Sequence, residues 1–180
     1  LARYSGQTDI RVGVPIANRT RSEMEGVLGC FVNTQVLNVN VIESATVMSL
    51  LQQVKQTAIG AQAHQDIPFE MLVETLNVER DLSHSPLFQV MFNLQQTVID
   101  NHEYHLPGIT VSPLAGDEST SKFDLTLDIT ESDSSLSGSL EYCSDLFKVE
   151  TATRITNHYI QLLQGVLSDP WQSWLQLPMV

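Results

Sequence analysis

The sequence predicts a layered α/β fold, a mixed β-sheet covered by helices. Three observations carry it: β-branched runs at residues 9–17 and 31–41 that read as strands, two long amphipathic stretches at 45–62 and 150–167, and alternating segments at 87–96, 123–130 and 136–143. Strands interspersed with helices of this length need a sheet for the helices to cover.

In the first strand the alternation centres on Ile10, Val12 and Val14, and in the second it runs through Phe31, Val32, Val36, Leu37, Val39 and Val41. Residues 18–29 between them hold charges and glycines without clear periodicity, which predicts a loop with at most one short helix. The helix over 45–62 would bury Val47, Leu50, Leu51, Val54, Ala58 and Ala61, with Ser44 as its cap. Pro68 ends that stretch, and Phe69, Leu72, Val73 and Leu76 mark the inner face of a shorter helix over 69–76. Residues 87–96 alternate so that Phe88, Val90, Phe92 and Leu94 fall on one face and Gln89, Met91, Asn93 and Gln95 on the other. A polar segment ending in a Pro-Gly turn, a short strand at 109–111 and a connector over 115–121 follow. Next comes a hairpin turning at Ser132 to Ser135, with Phe123, Leu125, Leu127 and Ile129 on one face. The helix over 150–167 buries Ile155, Tyr159, Leu162, Leu163 and Val166; Pro170 stops it, and 171–177 predicts a last short helix.

At 180 residues and 42% hydrophobic, the chain suits one core. No run approaches a membrane span and residues 1–9 lack the apolar stretch of a signal peptide, so a soluble cytoplasmic protein without membrane contact is expected. A net charge of −12 repels phosphate backbones, which argues against nucleic acid as a partner. Arg3, Arg11, Arg19 and Arg21 cluster near the start, and a solvated strand and loop accounts for them better than a binding patch. Cys30 and Cys143, without Cys-x-x-Cys spacing or clustered histidines, make neither a disulfide framework nor a metal site and read as small core residues.

The candidate chemistry is sparse. His64 has the residue type of an acid–base catalyst. A structural reading fits better: His64 closes one helix, Asp66 caps the next, and Pro68 fits its first turn. Arg80 and Asp81 read as a loop-anchoring ion pair before Pro86, and Asn33 and Thr34 as groups that satisfy nearby backbone. Ser85 and Ser121 lack the adjacent base and orienting acid of a nucleophile, and no phosphate or dinucleotide fingerprint is present. Local chemistry alone therefore stops at an α/β domain.

Longer strings go further. GCFVNTQ (29–35), HQDIPFE (64–70) and RDLSHSPLFQ (80–89), in this order, resemble motifs of the condensation domains of non-ribosomal peptide synthetases. The resemblance extends through VGVPIANRT (12–20), MFNLQ (91–95), SKFDLTL (121–127) and NHYIQLLQGVL (157–167), nearly the whole chain. Cys30, Asn38, Ile67 and His84-Ser85 depart from commoner residues, which bears on subtype. The form of GCFVNTQ and the MFNLQ string resemble condensation rather than epimerisation domains. The family's His-His-x-x-x-Asp-Gly signature does not occur: His64, His84, His102, His105 and His158 are isolated.

The resemblance implies the C-terminal lobe of a condensation domain of chloramphenicol acetyltransferase-like fold, spanning 1–180 without the N-terminal lobe that carries the catalytic histidine. It implies no catalytic residue here and no peptide-bond formation by this chain alone. Asn93, Gln95 and Ser121 would line the substrate tunnel, 18–29 would form its floor, and the connector before Ser121 to Asp124 would be a latch. The implied partners are the N-terminal lobe and peptidyl or acyl carrier proteins. No cofactor would be bound by this chain, the substrates being carried on the carriers' phosphopantetheine. Two other readings stay open at this point, a non-catalytic docking module for carrier proteins and a fragment of a coenzyme A-dependent acyltransferase.

Overall fold

The computed structural model describes residues 1–78, 85–96, 109, 120–132 and 135–179. Its framework is a five-stranded mixed sheet of order β2-β1-β3-β4-β5, with β1 (Asp9–Ile16), β2 (Asn33–Asn40), β3 (Val90–Gln96), β4 (Leu125–Ser132) and β5 (Ser135–Tyr142). The outer pairs β1·β2 and β4·β5 are antiparallel, and the inner pairs β1·β3 and β3·β4 are parallel. The helices are α1 (Ala2–Ser5), α2 (Val47–Ala63), α3 (Phe69–Thr75) and α4 (Val149–Ser168).

Register sorts the side chains into two faces. Val12, Val14, Leu37, Val39, Val90, Phe92, Leu125, Leu127, Ile129 and Leu140 share the apolar one. Asn93, Gln95, Thr126, Asp128, Thr130, Ser137 and Ser139 share the other, with Gly13 and Met91 at its buried end. The outer edge of β2 is closed by α2: Thr57 Oγ1 donates to Asn38 O at 3.5 Å, and the Gln53 amide, turned so that donor meets acceptor, spans Asn40 O and N at 3.1 and 3.3 Å. At residues 38 and 40 the edge groups of β2 are thus engaged from within the chain.

Several boundaries move for identifiable reasons. Thr46, not Ser44, caps α2, its Oγ1 accepting from Ser49 N at 3.2 Å. The helix starts later because the residues before it pair with the chain's last turn: Thr46 bridges Ser173, Trp174 N donates to Ala45 O at 3.3 Å, and Val47 N donates to Gln172 O at 3.1 Å. Tertiary carbonyls thus satisfy amides that a helix start leaves open. The final helix expected over 171–177 shrinks to a 3-10 turn, Trp174–Gln176. The short helix α1 has no periodic signal at only four residues. β3 begins at Val90 rather than Leu87, whose φ of 73° breaks the extended run.

That break redirects Phe88. Its ring lies against Gly13, the register partner of Met91, so it sits on the Met91 side and not with Val90, Phe92 and Leu94. With 2% of its surface exposed it is the most deeply buried large side chain among the described residues, set edge-on to Phe69 at 5.7 Å and tilted against Phe123 at 5.2 Å. Leu94, expected inside, is 53% exposed at the open end of β3. Cys30, expected in the core, is exposed in the loop before β2. Nearly all of the strand expected at 109–111 lies outside the described residues.

Candidate functional site: the polar face of the sheet

The two central strands bring a polar row together. Asn93 in β3 faces Asp128 in β4, and Asn93 Nδ2 donates to Asp128 Oδ1 at 3.0 Å. Gln95 stands opposite Thr130, and Ser139 of β5 stands opposite Asp128. Asn93, Asp128 and Thr130 are half-buried, and Gln95, Ser137 and Ser139 are exposed. Asn93 and Gln95 therefore lie where the alternation puts them, on a face that is neither core nor bare surface. Nothing in the sequence singles out Asp128, although SKFDLTLDI alternates and places it on the side away from Leu125, Leu127 and Ile129.

Ser121 is held differently. Its hydroxyl donates to Phe123 O, and the residue lines a cleft of about 280 Å³ with Lys122, Phe123, Asp124, Cys143, Asp145 and Leu146. Asp124 joins this corner to the sheet, its N–H donating to Gln89 O at 3.1 Å while its carbonyl accepts from Cys143 N at 3.0 Å. No described hydrogen bond links Ser121 to the Asn93 row.

At the other end of the sheet, Asn33 organises the junction of α2 and α3. Its Nδ2 donates to Gln65 O at 3.1 Å and Ile67 O at 2.8 Å, and its Oδ1 accepts from Phe69 N at 3.1 Å. The cap expected of Asp66 is thus supplied by Asn33, because Pro68 at the N-cap makes no side-chain bond and β2 places an amide against the first helical N–H. His64 closes α2 as expected: it is the C-cap, its N donates to Ala61 O at 3.0 Å and its Nδ1 lies 2.9 Å from Gly60 O. Asp66 instead borders a cleft of about 510 Å³ with Asn18, Thr20, Arg21, Glu23 and Met24. Arg19 folds the loop beside that cleft, bonding to Met24 O and to Gly29 O at 3.2 Å while its guanidinium sits 4.3 Å over Phe31. Arg80 and Asp81 lie outside the described residues.

The other clustered cations are mostly occupied within the fold. Arg3 bonds to Leu177 O at 2.8 Å and to Trp174 O, over whose ring it sits at 5.8 Å, and Arg11 pairs with Asp9 at 2.8 Å. Among the described residues no group of three or more His, Cys, Asp or Glu could hold a metal ion. No described helix is long and apolar enough to cross a membrane.

A mixed five-stranded sheet with helices along it, an aromatic cluster at one end and a polar row across its central strands defines an α/β lobe. The condensation-domain family model matches residues 1–180, and the chain belongs to that family. It is 44% identical over 182 residues to a linear gramicidin synthase of Brevibacillus parabrevis, an alignment covering 100% of this chain and 4% of that protein. With gramicidin S synthase 2 of Brevibacillus brevis it shares 42% over 170 residues, 94% of this chain and 4% of the relative. Among solved structures it resembles the X-domain from teicoplanin biosynthesis, with TM-score 0.88, 23% identity and coverage of 99% of this chain and 41% of that one. A holo four-domain nonribosomal peptide synthetase bound to AMP and glycine matches with TM-score 0.87 and 24% identity, over 99% of this chain and 15% of that one. The chain thus spans a small part of the synthetases it matches and about two-fifths of a single solved domain.

Proposed function

We propose that this chain is the C-terminal lobe of a two-lobed condensation domain and that its polar sheet face forms one wall of the substrate tunnel. The N-terminal lobe of the same domain supplies the catalytic histidine across that tunnel. Carrier proteins deliver donor and acceptor on phosphopantetheine arms, and the cytoplasmic setting expected from the sequence goes with this reading. In the reaction the acceptor nitrogen bonds to the donor's thioester carbonyl carbon and the carbon–sulfur bond breaks. The nitrogen's proton goes by way of the histidine to the departing sulfur, giving an amide and a free thiol. This lobe contributes wall, floor (18–29), latch (the connector before Ser121 to Asp124) and part of the acceptor carrier's docking surface, and no catalytic residue.

One observation carries the reading most directly. Asn93, Asp128 and their neighbours make a half-buried polar row in the middle of a sheet whose other face is apolar, the character of a solvated channel wall. In the complete domain, Asn93→Ala is expected to lower the condensation rate at least several-fold with a nearly unchanged melting temperature, measured with loaded donor and acceptor carriers. Wild-type turnover in a stable Asn93→Ala enzyme overturns the tunnel assignment.

A further inference from the structure

We propose that Asp128, aligned by Asn93, binds the ammonium form of the acceptor amine and so sets acceptor position and affinity; the ammonium gives up one proton to water before its nitrogen, then neutral, attacks the thioester. This rests on the tunnel reading above and names a ligand for a residue to which that reading gives no partner.

Asp128 occupies the middle of β4, an interior strand, and is half-buried. A carboxylate there is a fixed negative charge that attracts a cation. Asn93 fixes one oxygen at 3.0 Å but is neutral, so it orients the group without cancelling its charge. Among the described residues the one salt bridge is Arg11 to Asp9, and no Lys or Arg pairs with Asp128. The surroundings add acceptors rather than cations: Ser139 lies opposite, Thr126 and Thr130 flank it on the strand, and the other titratable group on this face of β4 and β5 is Glu141, opposite Thr126. A compact cation with several N–H donors suits such a place, since Asp128 Oδ2 and the hydroxyls can each accept one hydrogen bond. Of the two substrates of amide formation, the donor thioester carbonyl is uncharged, whereas an α-amine is largely protonated at neutral pH. Of the two reacting groups, the carboxylate therefore suits the acceptor's amine.

The test uses the complete two-lobed domain within its parent protein, with a carrier-loaded donor and the alanyl thioester of N-acetylcysteamine as soluble acceptor. Asp128→Asn keeps an oxygen for Asn93 Nδ2 and removes the charge. Its expected result is an acceptor KM raised about tenfold or more, as for loss of a charged hydrogen bond, with the donor KM unchanged. Because a carboxylate favours the protonated amine, its removal should also move the acid limb of the kcat–pH profile to lower pH, and Asp128→Glu should recover part of the acceptor affinity. Thr130→Trp, two residues along the same face, separates this inference from the tunnel reading by obstructing the channel whatever the role of charge. Normal turnover in a folded Thr130→Trp domain overturns both. Impaired Thr130→Trp turnover with wild-type acceptor KM and pH profile in Asp128→Asn overturns the Asp128 assignment alone.

Discussion

Asn33 shows how one amide can hold a junction that the sequence divides among His64, Asp66 and Pro68. It meets two carbonyls and one helix-start N–H, whereas His64 contributes a single exposed side-chain contact to the end of α2. Truncation at Asn33 leaves three backbone groups without that partner. Asn33→Ala is therefore expected to cost about 2–3 kcal/mol and several degrees of melting temperature, against under about 1 kcal/mol for His64→Ala. Calorimetry of the two variants side by side checks the order, and equal shifts would count against Asn33 as the anchor. Tyr159 gives a second expectation at this scale. Burial pushes its hydroxyl above the ordinary value of 10.0. A proton held more tightly in the folded state stabilises fully below the unfolded value and is lost as pH climbs from there through the raised folded value. Melting temperature should thus fall above about pH 10, and Tyr159→Phe should lessen that fall relative to the wild type.

The element scale divides what sequence can and cannot carry. All five strands, both long helices and the hairpin at Ser132 to Ser135 are legible in it, because periods of two and 3.6 survive wherever one face is buried. Asn93 and Gln95 fall on the expected face for the same reason. Each failure has its own cause: a positive φ at Leu87 is invisible to alternation, which therefore puts Phe88 on the wrong side. The start of α2 depends on carbonyls more than a hundred residues away, and nothing in the sequence ties Asp128 to Asn93 until the register of β3 and β4 is seen. The aromatic cluster offers a direct check on packing. A Cβ on Gly13 would lie 2.3 Å from the Phe88 ring, so Gly13→Ala should destabilise by about 1–3 kcal/mol. Adding Phe88→Leu should cost less than the two single changes summed, because the smaller side chain releases the clash.

For the whole molecule, both long helices find strands to pack on, which supports cooperative folding of this lobe by itself. A single thermal transition is expected, and broad melting with strong dye binding would show instead that a partner completes the core. Much of the lobe's closure passes through Trp174, whose indole N–H donates to Ile42 O at 2.8 Å and whose ring and carbonyl both engage Arg3. Trp174→Ala should therefore lower stability by about 2 kcal/mol, seen in the midpoint of denaturant unfolding. The same corner has a geometric consequence. Since Arg3 grips Leu177 O, the first and last turns of this segment lie side by side, and the lobe is nearly a closed ring of polypeptide. A covalent bridge of a few residues between its ends would cost little loop entropy, and new ends opened at the Ser132 to Ser135 turn would leave four of the five strands in unbroken order. Such a circularly permuted lobe should fold to the same sheet, with its polar row free to meet whatever stands opposite.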